Sequence, residues 1–179
     1  MSIISKKICL IGDFGVGKTS LIRRFVDRQF SDKYLSTVGV KISKKVVDVP
    51  GVDKENPLQL QLMIWDLEGH TKFKSIAPSY IQGSSGAIIV ADLTRVETIQ
   101  NLKERLELFC QYSPNSPTII AFNKVDLLEP EKVVQVIEST DINKHPQVIG
   151  TYTTSAKTGD NVDKMFEEIC KKLAEINAK

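Results

Sequence analysis

Residues 7–19 read KICLIGDFGVGKT. The first five form a short apolar run that fits a buried parallel strand, and Gly12 stops it. Gly12 to Thr19 then match G-x-x-x-x-G-K-[ST]. Lys18 opens a segment in which Leu21, Ile22, Phe25 and Val26 share one side while Arg23, Arg24 and Asp27 fall largely on another, which is amphipathic helix spacing. The strand-loop-helix setting gives the motif its meaning. Backbone N–H groups of Asp13, Phe14, Gly15, Val16 and Gly17 turn inward around phosphate oxygens at a helix N-terminus, whose dipole also favours the anion. Lys18 is placed to reach the β- and γ-phosphates, and Thr19, with Ser20 next to it, to meet a magnesium ion.

Beyond this unit, strand-like and helix-like segments alternate. Apolar runs at 59–65, 87–91, 118–122 and, more weakly, 148–153 predict strands. Helical periodicity covers 99–112, 131–138 and 162–176, the last carrying Val162, Met165, Phe166, Ile169 and Leu173 at three- and four-residue steps. Residues 41–65 differ: two strand-like pieces flank Pro50-Gly51 and Pro57 with no helix between, which predicts an antiparallel hairpin at the sheet edge. The fold class is therefore α/β, a doubly wound, mostly parallel six-stranded sheet with one antiparallel edge strand and helices on both faces. Ligands of such sheets sit at the carboxyl ends of the strands.

The chain's 179 residues, 41% of them hydrophobic, suit one core and hence a single domain over 1–179. A net charge of +2 from 24 basic and 22 acidic residues, scattered along the chain, offers no field for nucleic acid or an anionic membrane. Cys9, Cys110 and Cys170 lack CxxC spacing and sit in apolar or amphipathic segments, as reduced cysteines of a cytoplasmic protein do. No apolar stretch approaches the ~20 residues that cross a bilayer, and MSIISKK has no signal-peptide pattern. The expectation is a soluble monomer.

ATP and GTP share their phosphates, so the base must be read elsewhere. Asn123-Lys124-Val125-Asp126 follows the strand at 118–122. A carboxylate at Asp126 accepts from the N1 and 2-amino groups of guanine, whereas adenine would leave it unpaired at a real cost. Ser155-Ala156-Lys157, a common string by itself, falls after the last strand and forms the second wall of the base site.

Taken in order, KICLIGDFGVGKTSLIRRFVDRQF, YLSTVGV, WDLEGH, FKSIAPSYIQGSSGAIIVADLT, FNKVDL and TSAKTG resemble the Ras-like small GTPases, with the Rab branch nearest in flavour. The resemblance runs from about residue 6 to about residue 173 and implies a P-loop NTPase G domain that binds GTP and GDP with Mg²⁺ and slowly hydrolyses GTP. It implies further that Phe30 packs on the guanine, that Thr37 reaches the magnesium and γ-phosphate, and that Asp66 holds the magnesium through water. Gly69 then offers its N–H to the γ-phosphate. Contacts made only with the third phosphate, at Thr37 and Gly69, would hold two loops that its loss releases. Effectors would read those loops at 30–40 and 66–78, with an exchange factor and an activating protein as further partners.

Four departures set this chain apart. Phe14 stands where the family has a small residue beside the γ-phosphate, and VPGVDKENP at 49–57 lengthens the edge hairpin. The chain ends KKLAEINAK without a terminal prenylation cysteine, and Ser2 is no myristoylation site, so no direct membrane anchor is expected. Finally, His70 takes the place of the water-orienting glutamine, after Leu67-Glu68 where Thr-Ala is usual. Lys18, Gly69 and His70 are thus the candidate catalytic residues, and Thr19, Thr37 and Asp66 the candidate metal ligands. The alternative is a nucleotide-bound scaffold with negligible turnover. A phosphoryl-transferring kinase would need a lid and an acceptor site that the sequence does not display.

Overall fold

A computed structural model describes residues 3–50, 58–69 and 76–178. The first strand, β1 (Ile3–Gly12), runs into helix α1 (Lys18–Asp27), followed by β2 (Val40–Val49) and β3 (Leu58–Leu67). Then come α2 (Pro78–Ile81), β4 (Gly86–Asp92), α3 (Val96–Gln100), α4 (Leu102–Tyr112), β5 (Thr118–Asn123), α5 (Pro130–Glu138), β6 (Val148–Thr154) and α6 (Val162–Asn177). The sheet order is β2-β3-β1-β4-β5-β6. Only the β2–β3 pair is antiparallel among these, so the sheet is the expected six-stranded α/β sheet with one antiparallel edge strand.

Alternation along the central strands builds two cores. Ile8 and Leu10 of β1 face one way, with Leu62, Ile64, Ile88 and Val90, and are covered by Leu21 and Phe25 of α1 and Phe166 and Ile169 of α6. Cys9 and Ile11 face the other way, with Ala87, Ile89 and Phe122, under Leu102, Leu106 and Phe109 of α4. Phe25 and Phe166 stack with centroids 4.0 Å apart and planes 6° from parallel, joining α1 to α6. Among the described residues, no helix is long and apolar enough to cross a membrane.

One expectation changes in detail, one short helix is unforeseen from the sequence, and one insertion falls largely outside the described residues. The helix anticipated at 99–112 starts earlier, at Val96, and divides into α3 and α4 at Asn101, whose amide is drawn into a bond with Asp13. The one-turn helix α2 carries too few residues to show a period. Of the hairpin insertion, Val49 is buried and Pro50 exposed, while 51–57 lie outside the described residues.

Order in the strands places the site. Strands β2 and β3 lie on one side of β1, and β4, β5 and β6 on the other, so the order reverses at β1 and a crevice forms beyond its carboxyl end. Residues 12–19 sit there.

Truncating Phe166 to alanine should cost about 3–5 kcal/mol, because its ring is fully buried and stacked, whereas Val134→Ala on exposed α5 should stay within about 0.5 kcal/mol. Urea midpoints at unchanged m-value measure both.

Candidate functional site

Strand register brings the site's parts level. Leu10 pairs with Asp66, Gly12 with Val90, Asp92 with Asn123, and Asn123 with Thr154, so five loops leave the sheet at one edge. Between them lies a cleft of ≈ 290 Å³. Its lining includes Phe14, Gly15, Gly17, Lys18, Thr19, Ser20, Phe30, Thr37, Gly69, Asn123, Lys124, Asp126, Ala156 and Lys157, fourteen residues singled out by sequence.

The cleft meets the N-terminus of α1. Gly17 caps that helix at φ +103°, no side chain caps it, and its first turn contains no acidic residue. The helix's orphan N–H groups are therefore left for an anion. A Cβ at Gly17 would stand 2.3 Å from Asn123 Nδ2, so both its dihedral and its neighbour demand glycine.

Lys18 is almost fully buried, and its Nζ donates to the carbonyls of Gly12 at 2.9 Å and Asp13 at 3.0 Å. Burial pulls this ammonium down to about 8, against the opposing pull of Asp66 and Asp13. An anion at the helix terminus would favour its charged form.

Thr19, Thr37 and Asp66 arrive from α1, the 28–39 loop and β3, and converge. Thr19 Oγ1 donates to Asp66 Oδ2 at 2.5 Å and shares a hydrogen bond with Thr37 Oγ1 at 2.8 Å; Thr37 Oγ1 lies 3.4 Å from the same carboxylate oxygen. Among the described residues, buried Asp66 Oδ1 has no hydrogen-bond partner. Burial raises this carboxyl, with the Thr19 hydroxyl and Lys18 opposing. An orphaned buried carboxylate oxygen next to two hydroxyls fits a hard divalent cation, which prefers oxygen donors.

Side chains from distant loops secure the turn at 12–17. Asn123 Nδ2 donates to Val16 O at 2.9 Å while its Oδ1 accepts from Thr154 at 3.1 Å. Lys124 Nζ donates to Gly15 O at 2.9 Å and pairs with Asp92 Oδ2 at 2.7 Å. Ser155 is buried outside the lining, and its hydroxyl donates to Asp126 Oδ1 at 2.7 Å, fixing the carboxylate rather than touching the cleft. Asp13 and Val16 also turn their side chains away. Val16 joins the core; Asp13 accepts from Asn101 at 2.6 Å and from Arg105 Nη2 at 3.0 Å.

Residues that escaped the sequence reading include Arg24, which holds the carbonyls of Ala156 and Lys157; Arg95, bonded to Phe14 O at 2.6 Å; Asn101 and Arg105, which bond Asp13; and Tyr34, which lines the cleft. No local signal marks them, since each acts on a partner far along the chain. Glu68 explains its own departure: its carboxylate accepts from Gly39 N–H at 3.2 Å, and its N–H donates to Gly39 O at 2.8 Å, tying the two loops together. Gly69 packs so closely that a Cβ there would come 2.5 Å from Phe14 Cα. His70, the proposed water-orienting residue, lies outside the described residues.

The chain resembles known proteins over nearly its whole length. Residues 7–175 match the Ras family. The chain is 34% identical over 176 residues to the Ypt/Rab-type GTPase YPT7 of Saccharomyces cerevisiae, covering 96% of this chain and 82% of that protein. It is 34% identical over 181 residues to human Ras-related protein Rab-22A, covering 99% and 88% respectively. Ras-related protein RABF2a of Arabidopsis thaliana is 36% identical over 174 residues, with 97% and 83% covered.

Arg105→Leu should destabilise the protein by about 3–5 kcal/mol, because it strands the Asp13 carboxylate in the interior. Adding Asp13→Asn should recover part of that loss; chemical denaturation of the single and double variants checks both.

Proposed function

The chain belongs to the Ras family, in its Rab branch of GTP-hydrolysing switches, and on that premise we propose that the cleft binds GTP and GDP with Mg²⁺ and converts GTP and water slowly to GDP and phosphate. The observation that carries this reading is the convergence of Thr19, Thr37 and Asp66 at the open N-terminus of α1.

In this reading, residues 1–179 form one G domain. The N–H groups of residues 13–19 bind the phosphates, and Lys18 compensates charge on the β- and γ-phosphates. Asp126, fixed by Ser155, selects guanine, with Phe30, Ala156 and Lys157 walling the base. The hydroxyls of Thr19 and Thr37, with Asp66 through water, would hold magnesium, which spreads the charge on the transferred phosphoryl group. Thr37 and Gly69 contact the third phosphate, so its departure frees the loops at 30–40 and 66–78. Glu68 couples their ends through Gly39. Exposed Leu35, Val38 and Ile42 supply an apolar surface for effectors. An exchange factor and an activating protein act on the same loops. A cytoplasmic setting agrees with three free cysteines.

Turnover is slow because Phe14 is 43% exposed at the phosphate loop, where its ring crowds both the attacking water and an incoming arginine. His70 orients that water as a neutral imidazole, one nitrogen accepting and the other donating. The same crowding favours the second reading, a nucleotide-bound scaffold with negligible hydrolysis. Steady-state phosphate release separates the two.

Nucleotide released from purified protein and separated on a column should be GDP or GTP; ATP, or none, would overturn the reading. Asp126→Asn should weaken GDP binding by at least tenfold, since each charge-assisted hydrogen bond is worth roughly 1.5–3 kcal/mol, and should shift preference towards XTP. Competition against a fluorescent GDP analogue measures this.

In single turnover, Phe14→Ser should accelerate phosphate release and His70→Ala should slow it. An unchanged rate in His70→Ala makes the histidine a bystander, and brisk wild-type hydrolysis removes the brake assigned to Phe14.

A further inference from the structure

Tyr34 and Phe14 face each other across the mouth of the cleft. Their centroids are 5.1 Å apart and their planes 66° from parallel, an edge-to-face pair. Both are exposed, Tyr34 by 59% and Phe14 by 43%, so neither ring is held by the core. They belong to opposite sides of the cleft: Phe14 to the phosphate loop, Tyr34 to a wall between α1 and β2 that has no helix or strand.

The two sides differ in how firmly they are fixed. Around Phe14, Asn101 and Arg105 anchor Asp13, Lys124 holds Gly15 O, and Arg95 Nη1 donates to Phe14 O itself. Arg95 comes from the loop after β4 and is steadied in turn by Glu97 at 3.1 Å. Phe14 is thus a ring on a braced backbone. Tyr34 rides on the 28–39 segment, which has neither helix nor strand and is tied to the rest of the site further along, at Thr37 and Gly39; opening the cleft on this side parts Tyr34 from Phe14.

We propose that Phe14 and Tyr34 form a clasp that retards nucleotide release, with Arg95 as a positioning residue that holds the fixed half in place. The inference rests on the cleft being the guanine-nucleotide site. It gives the phenylalanine at the family's small-residue position a second consequence besides slow hydrolysis: the protein retains whichever nucleotide it holds. An aromatic pair of this kind corresponds to roughly a two- to twelvefold change in a rate that requires its opening.

The test is release of a fluorescent GDP analogue into excess GDP at constant Mg²⁺. Phe14→Ser and Tyr34→Leu should each release it roughly two- to twelvefold faster than wild type. The double variant should be no faster than the faster single one, because both remove the same contact. Tyr34→Phe, which keeps the ring, should restore most of the slow release lost in Tyr34→Leu. Arg95→Gln should accelerate release in the wild-type background and have no effect once Phe14 is serine, a dependence that general loosening would not produce. Unchanged rates, additive effects in the double variant, or Tyr34→Phe behaving like Tyr34→Leu would each overturn the clasp. So would a clasp variant that takes up no nucleotide, since an exposed ring pair is not needed for binding. Wild-type protein that fails to take up the analogue would instead refute the nucleotide reading.

Discussion

A loop that is to wrap an anion must point its N–H groups inward, so its own carbonyls turn outward and need partners. That constraint organises the molecule. Lys18 takes the carbonyls of Gly12 and Asp13, Arg95 that of Phe14, Lys124 that of Gly15, and Asn123 that of Val16. These donors come from α1 and from the ends of β4 and β5, and each is positioned by strand register. The loop is held by the sheet's carboxyl edge, and among the described residues no side chain caps the N-terminus of α1, which leaves its N–H groups open to an anion.

The same edge concentrates charge that would be costly without a ligand. Asp66 is buried at its floor, one oxygen unpartnered among the described residues and its pKa raised by desolvation, while Lys18 is drawn down by burial. Two buried groups of opposite sign are thus both displaced towards neutrality, as charged groups buried in a binding cleft are. Thr19 and Thr37 already stand at the carboxylate, so ordering the loop at Thr37 is coupled to the chemistry of Asp66.

Two of this chain's departures from its family, Phe14 and Glu68, fall on the seam between the phosphate loop, the 28–39 segment and the end of β3, where Gly69 also lies. Phe14 meets Tyr34, Glu68 binds Gly39, and Gly69 lies against the backbone of Phe14. Each adds a contact between the phosphate loop, the 28–39 segment and the end of β3. A switch works by the free-energy gap between two arrangements of such loops. Extra contacts on one side of that gap change how long each state lasts without altering the fold.

The sequence by itself determined the architecture and the chemical class. Strand runs and helical periods located the six strands and the main helices, and Gly12 to Thr19 with Asn123 to Asp126 stood out as two segments that the fold brings to one cleft, because these signals are local and rest on backbone geometry and residue type. Only the tertiary structure revealed what braces the site. Arg95 acts 81 residues from Phe14, Arg105 acts 92 residues from Asp13, and Asn123 acts 107 residues from Val16, separations that no periodicity encodes. It likewise decided that Asp13 faces Arg105 rather than the cleft, and that Ser155 serves Asp126. The physical reason is that a side chain's partner is set by the register and stacking of the whole sheet, which a local pattern implies only as a class of fold.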